Sequence, residues 1–480
     1  MTAVLSHLET GSCAPGAPAA TPAPPTATAT HAPVIRPLLP VVGRDLRSPV
    51  VDGPAVRYAN LDYAASAPAL QTVADFVCSG LEHYASVHRG AGYASQVSTA
   101  IYEGTRATVA AFVGAREDDV VVVVRNTTDA LNLLATAIPA DGPGGGEVVF
   151  LDLEHHANLL PWTRLPHRCL AVRETLAATL EALDASLAER PATLVAVTGA
   201  SNVTGEVTPV AEVVRIAHAH GARVVVDGAQ LVPHRRVDLA ATGADYLAFS
   251  GHKLYAPFGA GVLVGRRDWL DAAPAYLAGG GAVRSVDVEQ AQWAPAPQRH
   301  EGGTPNVLGA AALAQACRDL AGLPEGALEA HEAALVERLR TGLTAIPGVE
   351  VLRVWPDAPD AVGVVGFTVA GHDPGRGAAY LSAEHGIGVR DGKFCAHPLL
   401  ARLGHEGGAV RASLGVGSSS DDVDRLVAAV ERLVVEGERV EYHLVDGRWA
   451  PVADDRALPE FLAGIVSGTL PPAGASPCQG

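Results

Sequence analysis

A series of short, unbroken apolar runs recurs between residues 119 and 265: "DVVVVV" (119–124), "EVVFLD" (147–152), "ATLVAVTGA" (192–200), "ARVVVDGAQ" (222–230), "DYLAFSG" (245–251) and "GVLVG" (261–265). A strand with one wet face alternates apolar and polar residues. These runs do not alternate, so both of their faces must be covered. Helical patterns lie between them, such as "TTDALNLLATAI" after the first run and "PVAEVVRIAHAHG" (209–221) before the fourth. Strands covered on both faces and separated by helices predict an α/β fold with a mainly parallel sheet. In such a sheet ligands gather at the carboxyl ends of the strands.

From about Leu308 the pattern changes. Two helical stretches, "NVLGAAALAQACRDLAGL" and "HEAALVERLRTGLTAI", precede short strand patterns at 348–354 and 362–370 and a helix over 421–437. This predicts a smaller α+β domain. The expected division is a flexible Ala/Pro/Thr-rich tail over 1–45 and a large domain over 60–308. A small domain follows from 46–59 and 309–437, then an appendage over 438–480 with a frayed end. The tail's composition leaves too little apolar surface to order it. A formal charge of −17 argues against nucleic acid or an anionic membrane surface as a partner. No apolar run reaches the roughly 18 residues of a membrane span. The six cysteines show no CxxC and no metal-type Cys/His cluster, and the N-terminus lacks a secretory pattern. Free thiols, no metal and a cytoplasmic location are the expectation.

Of the 35 basic residues only two are lysines, Lys253 and Lys393. Lysine, unlike arginine, can lose its proton and attack a carbonyl to form a Schiff base. Lys253 ends the run at 245–251, with Ser250 and His252 beside it to hold a phosphate. Asp227 ends another run, where a carboxylate is costly unless it meets a cation, and Gln230 stands three residues on. Thr127 and Thr128 open a helix, whose free N–H groups and dipole favour a phosphate. His155 and His156 follow a further run; adjacent side chains point apart, so at most one reaches a cofactor. Each feature alone is an ordinary cap or surface residue. Together they describe a pocket for pyridoxal 5′-phosphate, which needs a lysine for its aldehyde and a carboxylate for its ring nitrogen.

The motifs "LDYAASAP", "VHRGAGYAS", "RNTTDALN", "EHHANLLPW", "SNVTGEVTPV", "VVVDGAQ", "FSGHKLYAPFGAGVL", "EGGTPN", "VRDGKFCAHPL" and "VRASLGV" carry a resemblance. From about Tyr58 to Val434 the chain resembles the class V aminotransferases of fold type I, in their cysteine desulfurase/selenocysteine lyase branch of SufS type. The resemblance implies a large domain with a mainly parallel seven-stranded sheet and a smaller α+β domain. It implies that Lys253 holds pyridoxal phosphate covalently, Asp227 pairs with the ring nitrogen, Gln230 with the ring hydroxyl, and His155 stacks on the ring. Thr128, Ser250 and His252 would bind the phosphate, with Thr304 supplied by a second subunit of a homodimer. Asn202, Arg390 and Arg411 would hold the substrate, a bidentate Arg suiting its carboxylate.

The implied reaction converts L-cysteine to L-alanine, Cys395 taking the sulfur as a persulfide for an acceptor protein. Cys395 follows Arg390 by five residues and precedes Arg411 by sixteen, so its loop is of the compact kind. SufS-type enzymes typically read Arg-Thr-Gly-His-His-Cys here. This chain reads Arg390-Asp391-Gly392-Lys393-Phe394-Cys395, and the Lys393 ammonium is a candidate to favour the Cys395 thiolate. The changed loop leaves open another class V reaction: selenocysteine lyase, C–S lyase, epimerase or transaminase. A silent protein that only binds a sulfur carrier is the remaining alternative.

Overall fold

The computed structural model describes residues 33–462; the expected tail up to residue 32 and the frayed end from 463 lie outside the described residues. The six apolar runs, joined by the half-exposed His167–Leu170, form, in chain order, β1 (Asp119–Val124), β2 (Val148–Leu151), β3 (His167–Leu170), β4 (Leu194–Thr198), β5 (Arg223–Asp227), β6 (Tyr246–Ser250) and β7 (Gly261–Arg266). They pair in the order β1-β7-β6-β5-β4-β2-β3, and only β7 runs against its neighbours. Alternate residues explain the unbroken apolar runs. Val195, Val197, Val224, Val226 and Leu247 enter one core, whereas Leu194, Ala196, Val225, Tyr246 and Ala248 enter the core on the opposite face. The helix Thr127–Ala137 covers the second face with Leu131, Leu133 and Leu134, and helices Leu176–Glu189 and Val210–Ala219 cover the first.

The smaller sheet comprises β8 (Val349–Val351), β9 (Val364–Val369), β10 (Arg390–Gly392) and β11 (Ala409–Ser413), paired antiparallel as β8-β9-β11-β10. It packs with helices Ala327–Thr344, Pro374–His385 and Ser420–Glu436 around Leu335, Leu339, Phe367, Tyr380 and Leu426. A buried ionic cluster ties it to the larger sheet's side. Glu332 contacts His234 Nδ1 and accepts from Arg235 Nη1 (2.6 Å), and Arg235 also pairs with Asp360 (2.7 Å).

The described part of the expected tail is anchored rather than loose. Ile35 N donates to Ser420 Oγ (3.0 Å), Leu38 N to Val416 O (2.7 Å), and Val41 is buried. Leucine, isoleucine and valine supply here the apolar surface that residues 14–32 lack. The appendage contains a hairpin, β12 (Tyr442–Val445) and β13 (Arg448–Pro451), laid on the helix Pro374–His385. Tyr442 Oη donates to Glu384 (3.1 Å), Arg439 Nε donates to it (2.8 Å), and the Arg376 guanidinium lies 5.1 Å from the Trp449 ring centroid. Among the described residues no helix is long and apolar enough to cross a membrane.

Candidate active site

The carboxyl ends of four strands converge on one cavity of about 290 Å³. Asp227 closes β5, Ser250 closes β6 and leads through Gly251 and His252 to Lys253, β1 leads to Thr127 and Thr128, and β2 leads to His155. Asn126 caps the helix Thr127–Ala137, its Oδ1 accepting from Asp129 N (3.0 Å). Thr127 N donates to Ser250 Oγ (2.7 Å), which locks the helix start to the end of β6. Thr128 is exposed toward the cavity, so its hydroxyl and the helix dipole face whatever occupies it.

Burial sets the charges. It lowers Lys253 to about 8; Asp227 opposes the shift and Arg411 adds to it. Asp227 is 3% exposed, accepts from Ala229 N (2.9 Å), and is raised by burial against the pull of Lys253. His155 is lowered to about 3, by burial and then by the Lys253 and His156 charges. Its Nδ1 accepts from Ala157 N (3.0 Å), so the neutral ring carries its proton on Nε2. His252 is lowered to about 4 by burial and by Lys253. Gln230 Nε2 donates to Ala64 O (2.7 Å), while its buried Oε1 has no partner among the described residues. A buried orphan of this kind asks for a ligand. A polar ring hydroxyl against Gln230, an amine near pH 8 and a carboxylate at a strand end fit pyridoxal phosphate.

On the far wall, Arg390 and Arg411 face each other in register on β10 and β11. Arg411, 3% exposed, donates to Asn202 O (2.9 Å) and to Asp62 Oδ1 (3.1 Å). Cys395 lines the same cavity. It and Phe394 hold φ of 54° and 53°, in the left-handed region that side chains avoid, at about 1–3 kcal/mol each. Two bonds hold the pair: Asn202 Nδ2 donates to Phe394 O (2.8 Å) and His156 N to Cys395 O (2.8 Å). The Phe394 ring lies 5.1 Å from the Arg411 guanidinium, a cation–π contact.

The sequence-predicted residues that meet here are Lys253, Asp227, Gln230, His155, Thr128, Ser250, His252, Asn202, Arg390, Arg411 and Cys395. Thr304 does not; within one chain it borders a separate cavity with His88 and Arg89. Of the two adjacent histidines only His155 lines the cavity, while His156 packs edge-on against His397 (4.6 Å). Lys393 borders an outer groove, whereas Cys395 lines the cavity that contains Lys253. Sequence reasoning missed Asp62, which holds Arg411, and the fully buried Glu154, whose carboxyl burial raises well above its usual range. Both sit inside quoted motifs, "LDYAASAP" and "EHHANLLPW", where position before a loop was the only signal.

The chain matches the class-V aminotransferase family over residues 59–426. It is 39% identical over 392 residues to a cysteine desulfurase from Dickeya dadantii, covering 80% of this chain and 93% of that one. The structure is similar to apo cysteine desulfurase from Thermococcus onnurineus, with TM-score 0.71, 34% identity, and 78% and 94% of the two chains covered. The cysteine desulfurase CsdA from Escherichia coli gives TM-score 0.70 and 33% identity over 78% and 94%. With this sheet and this cavity, the chain belongs to the class V aminotransferase family, pyridoxal-phosphate-dependent enzymes of fold type I.

Proposed function

We propose that the protein is a cysteine desulfurase that converts L-cysteine to L-alanine and keeps the sulfur on Cys395 as a persulfide. The observation that carries the reading is that Cys395 opens onto the same cavity as Lys253. Lys253 would hold pyridoxal phosphate covalently, Asp227 its ring nitrogen, Gln230 its ring hydroxyl, His155 its ring face, and Thr128, Ser250 and His252 its phosphate. Bound there, the cofactor supplies a carbonyl that condenses with amines and a protonated ring that withdraws electrons from the substrate's α-carbon.

Arg411, with Asn202 and Arg390, receives the substrate carboxylate, and Asp62 keeps the Arg411 guanidinium oriented until it arrives. Lys253 Nζ, near 8, then takes the proton from the α-carbon. The Cys395 thiolate attacks the substrate sulfur. An S–S bond forms as the Cβ–S bond breaks, the electron pair goes to the carbon skeleton, and protonation there yields alanine. Cysteine plus the Cys395 thiolate becomes alanine plus a Cys395 perthiolate, with no outside oxidant or reductant.

The family resemblance implies that Thr304 of a second copy completes the phosphate site and hence a homodimer, and a persulfide calls for an acceptor thiol in a reducing compartment, the cytoplasm. The working domain division remains 60–308 for the cofactor-binding body and 46–59 with 309–437 for the smaller domain. The test is anaerobic incubation of the yellow protein with L-cysteine and a reductant. Alanine and sulfide in equal yield, abolished in Cys395→Ser with the colour retained, is the expected result. Pyruvate and ammonia would assign β-elimination instead, and turnover of selenocysteine alone would assign a selenocysteine lyase.

A further inference from the structure

Strand β2 pairs with β4 through Val148, Val149 and Phe150 and ends at Leu151, where the chain turns away to bring His155 into the cofactor cavity. β4 runs on to Thr198, which stands in register with Asp227 on β5 and itself lines the cavity. The buried N–H of Thr198 therefore reaches past the end of β2. It donates to Glu154 Oε1 (3.0 Å), a side chain taking the place of the missing strand. The other carboxyl oxygen, Oε2, accepts from Asn158 Nδ2 (2.7 Å). Asn158 is held in turn, its backbone oxygen and its Oδ1 accepting from Trp162 Nε1 (2.8 and 3.3 Å). Glu154, Asn158 and Trp162 are all fully buried.

His155 lies inside this bridge. It caps the short turn His156–Asn158, its Nδ1 accepting from Ala157 N (3.0 Å), while Asn158 closes the turn against Glu154. The steps of four residues from Glu154 to Asn158 and from Asn158 to Trp162 make "EHHANLLPW" a single device. Among the described residues two N–H donors and no cation meet the Glu154 carboxyl. Burial pushes it well above its ordinary range; Asn158 and Thr198 draw it back, and the Asp227 and Asp152 charges push it up again. A carboxyl placed so serves by its oxygens and not by a charge, because an unpaired charge there is costly.

We propose that Glu154 is a positioning residue: its carboxyl ties the turn after His155 to the strand end beside Asp227 and so fixes the imidazole that faces the cofactor. The inference rests on His155 lying against the pyridoxal phosphate ring. Its test uses the full-length protein and the variants Glu154→Ala, Asn158→Ala and Glu154→Gln. In the cofactor-free protein, amide exchange over residues 152–160 should quicken in both alanine variants. Exchange over 194–200 should quicken in Glu154→Ala, where Thr198 N loses its acceptor. Both alanine variants should bind pyridoxal phosphate about five- to tenfold more weakly, the range for one buried hydrogen-bond partner lost. The visible circular dichroism of the bound cofactor should weaken. The kcat for alanine release should fall with KM for cysteine unchanged, since Arg411 is untouched. Glu154→Gln should restore all of these to within about twofold, its oxygen serving Thr198 N while the Asn158 amide turns over to accept from its nitrogen. Unchanged affinity and dichroism in both alanine variants, whatever the unfolding temperature does, would overturn the proposal, as would failure of Glu154→Gln to restore them. If the wild type releases no alanine from cysteine the desulfurase reading fails, while exchange, affinity and dichroism still decide the bridge.

Discussion

Burial lowers Lys253 to about 8 and His155 to about 3, and the two shifts act in different pH windows. Reconstitution of the apo-protein with pyridoxal phosphate should speed up as pH rises through about 8, where Lys253 Nζ loses its proton, measurable from the growth of the cofactor's absorbance. Lys253→Ala should lose about 10²–10⁴ in the rate of alanine formation, the range for a positioned general base. His155 is lowered from 6.5 to about 3, so between those values the unfolded chain holds a proton that the folded one does not. Stability of the apo-protein should therefore fall as pH drops from 6.5 toward 3, with His252 adding to the loss on the way to about 4. Thermal unfolding across that window checks it; a flat profile would count against a neutral buried His155. Lys253, Asp227 and Cys395 were legible because few residue types perform their chemistry. Asp62 and Glu154 were not, since an acid beside a strand or a histidine is ordinary until the fold buries it.

Elements add constraints that single residues do not show. The Gly-rich run after Lys253 lets β7 pass the start of the helix Thr127–Ala137. A Cβ on Gly261 would lie 2.7 Å from Asn126 Cα and 2.8 Å from Phe249 O, both backbone atoms that cannot turn aside. Gly261→Ala should cost about 1–3 kcal/mol in denaturant unfolding, as overpacking does. It should also loosen cofactor retention, because the displaced helix start carries Thr128. In the Cys395 loop, Phe394→Ala removes the ring beside Arg411. KM for cysteine should rise a few-fold, in line with about 0.5–2 kcal/mol for a cation–π contact, with a smaller change in kcat. The central strands were legible because both of their faces are apolar. The edge strand β3 and the three-residue β10 were not, being short and half-exposed, with no periodicity to read.

At the scale of the molecule, Glu332 links the small sheet's helix Ala327–Thr344 to His234 and Arg235 in the turn after β5. Burial would raise its carboxyl, but His234 and Arg235 prevail and hold it below its ordinary value. Its contribution is thus present above the unfolded carboxyl pKa and lost as pH falls through the folded one. Glu332→Ala removes the carboxylate that the buried His234 and Arg235 share and should cost about 3–5 kcal/mol in chemical denaturation. The α/β architecture was visible in the runs from 119 to 265, whereas this link was not, because it joins residues nearly a hundred positions apart. The placement of the two lysines has a practical use. Lys253 lies inside the cofactor cavity and Lys393 along the outer groove. An amine-reactive dye therefore meets, besides the chain's α-amino group, a single accessible side chain. With the α-amino label discounted, the native protein carries a fluorophore two residues from Cys395, ready to report the arrival of a sulfur acceptor without any engineered handle.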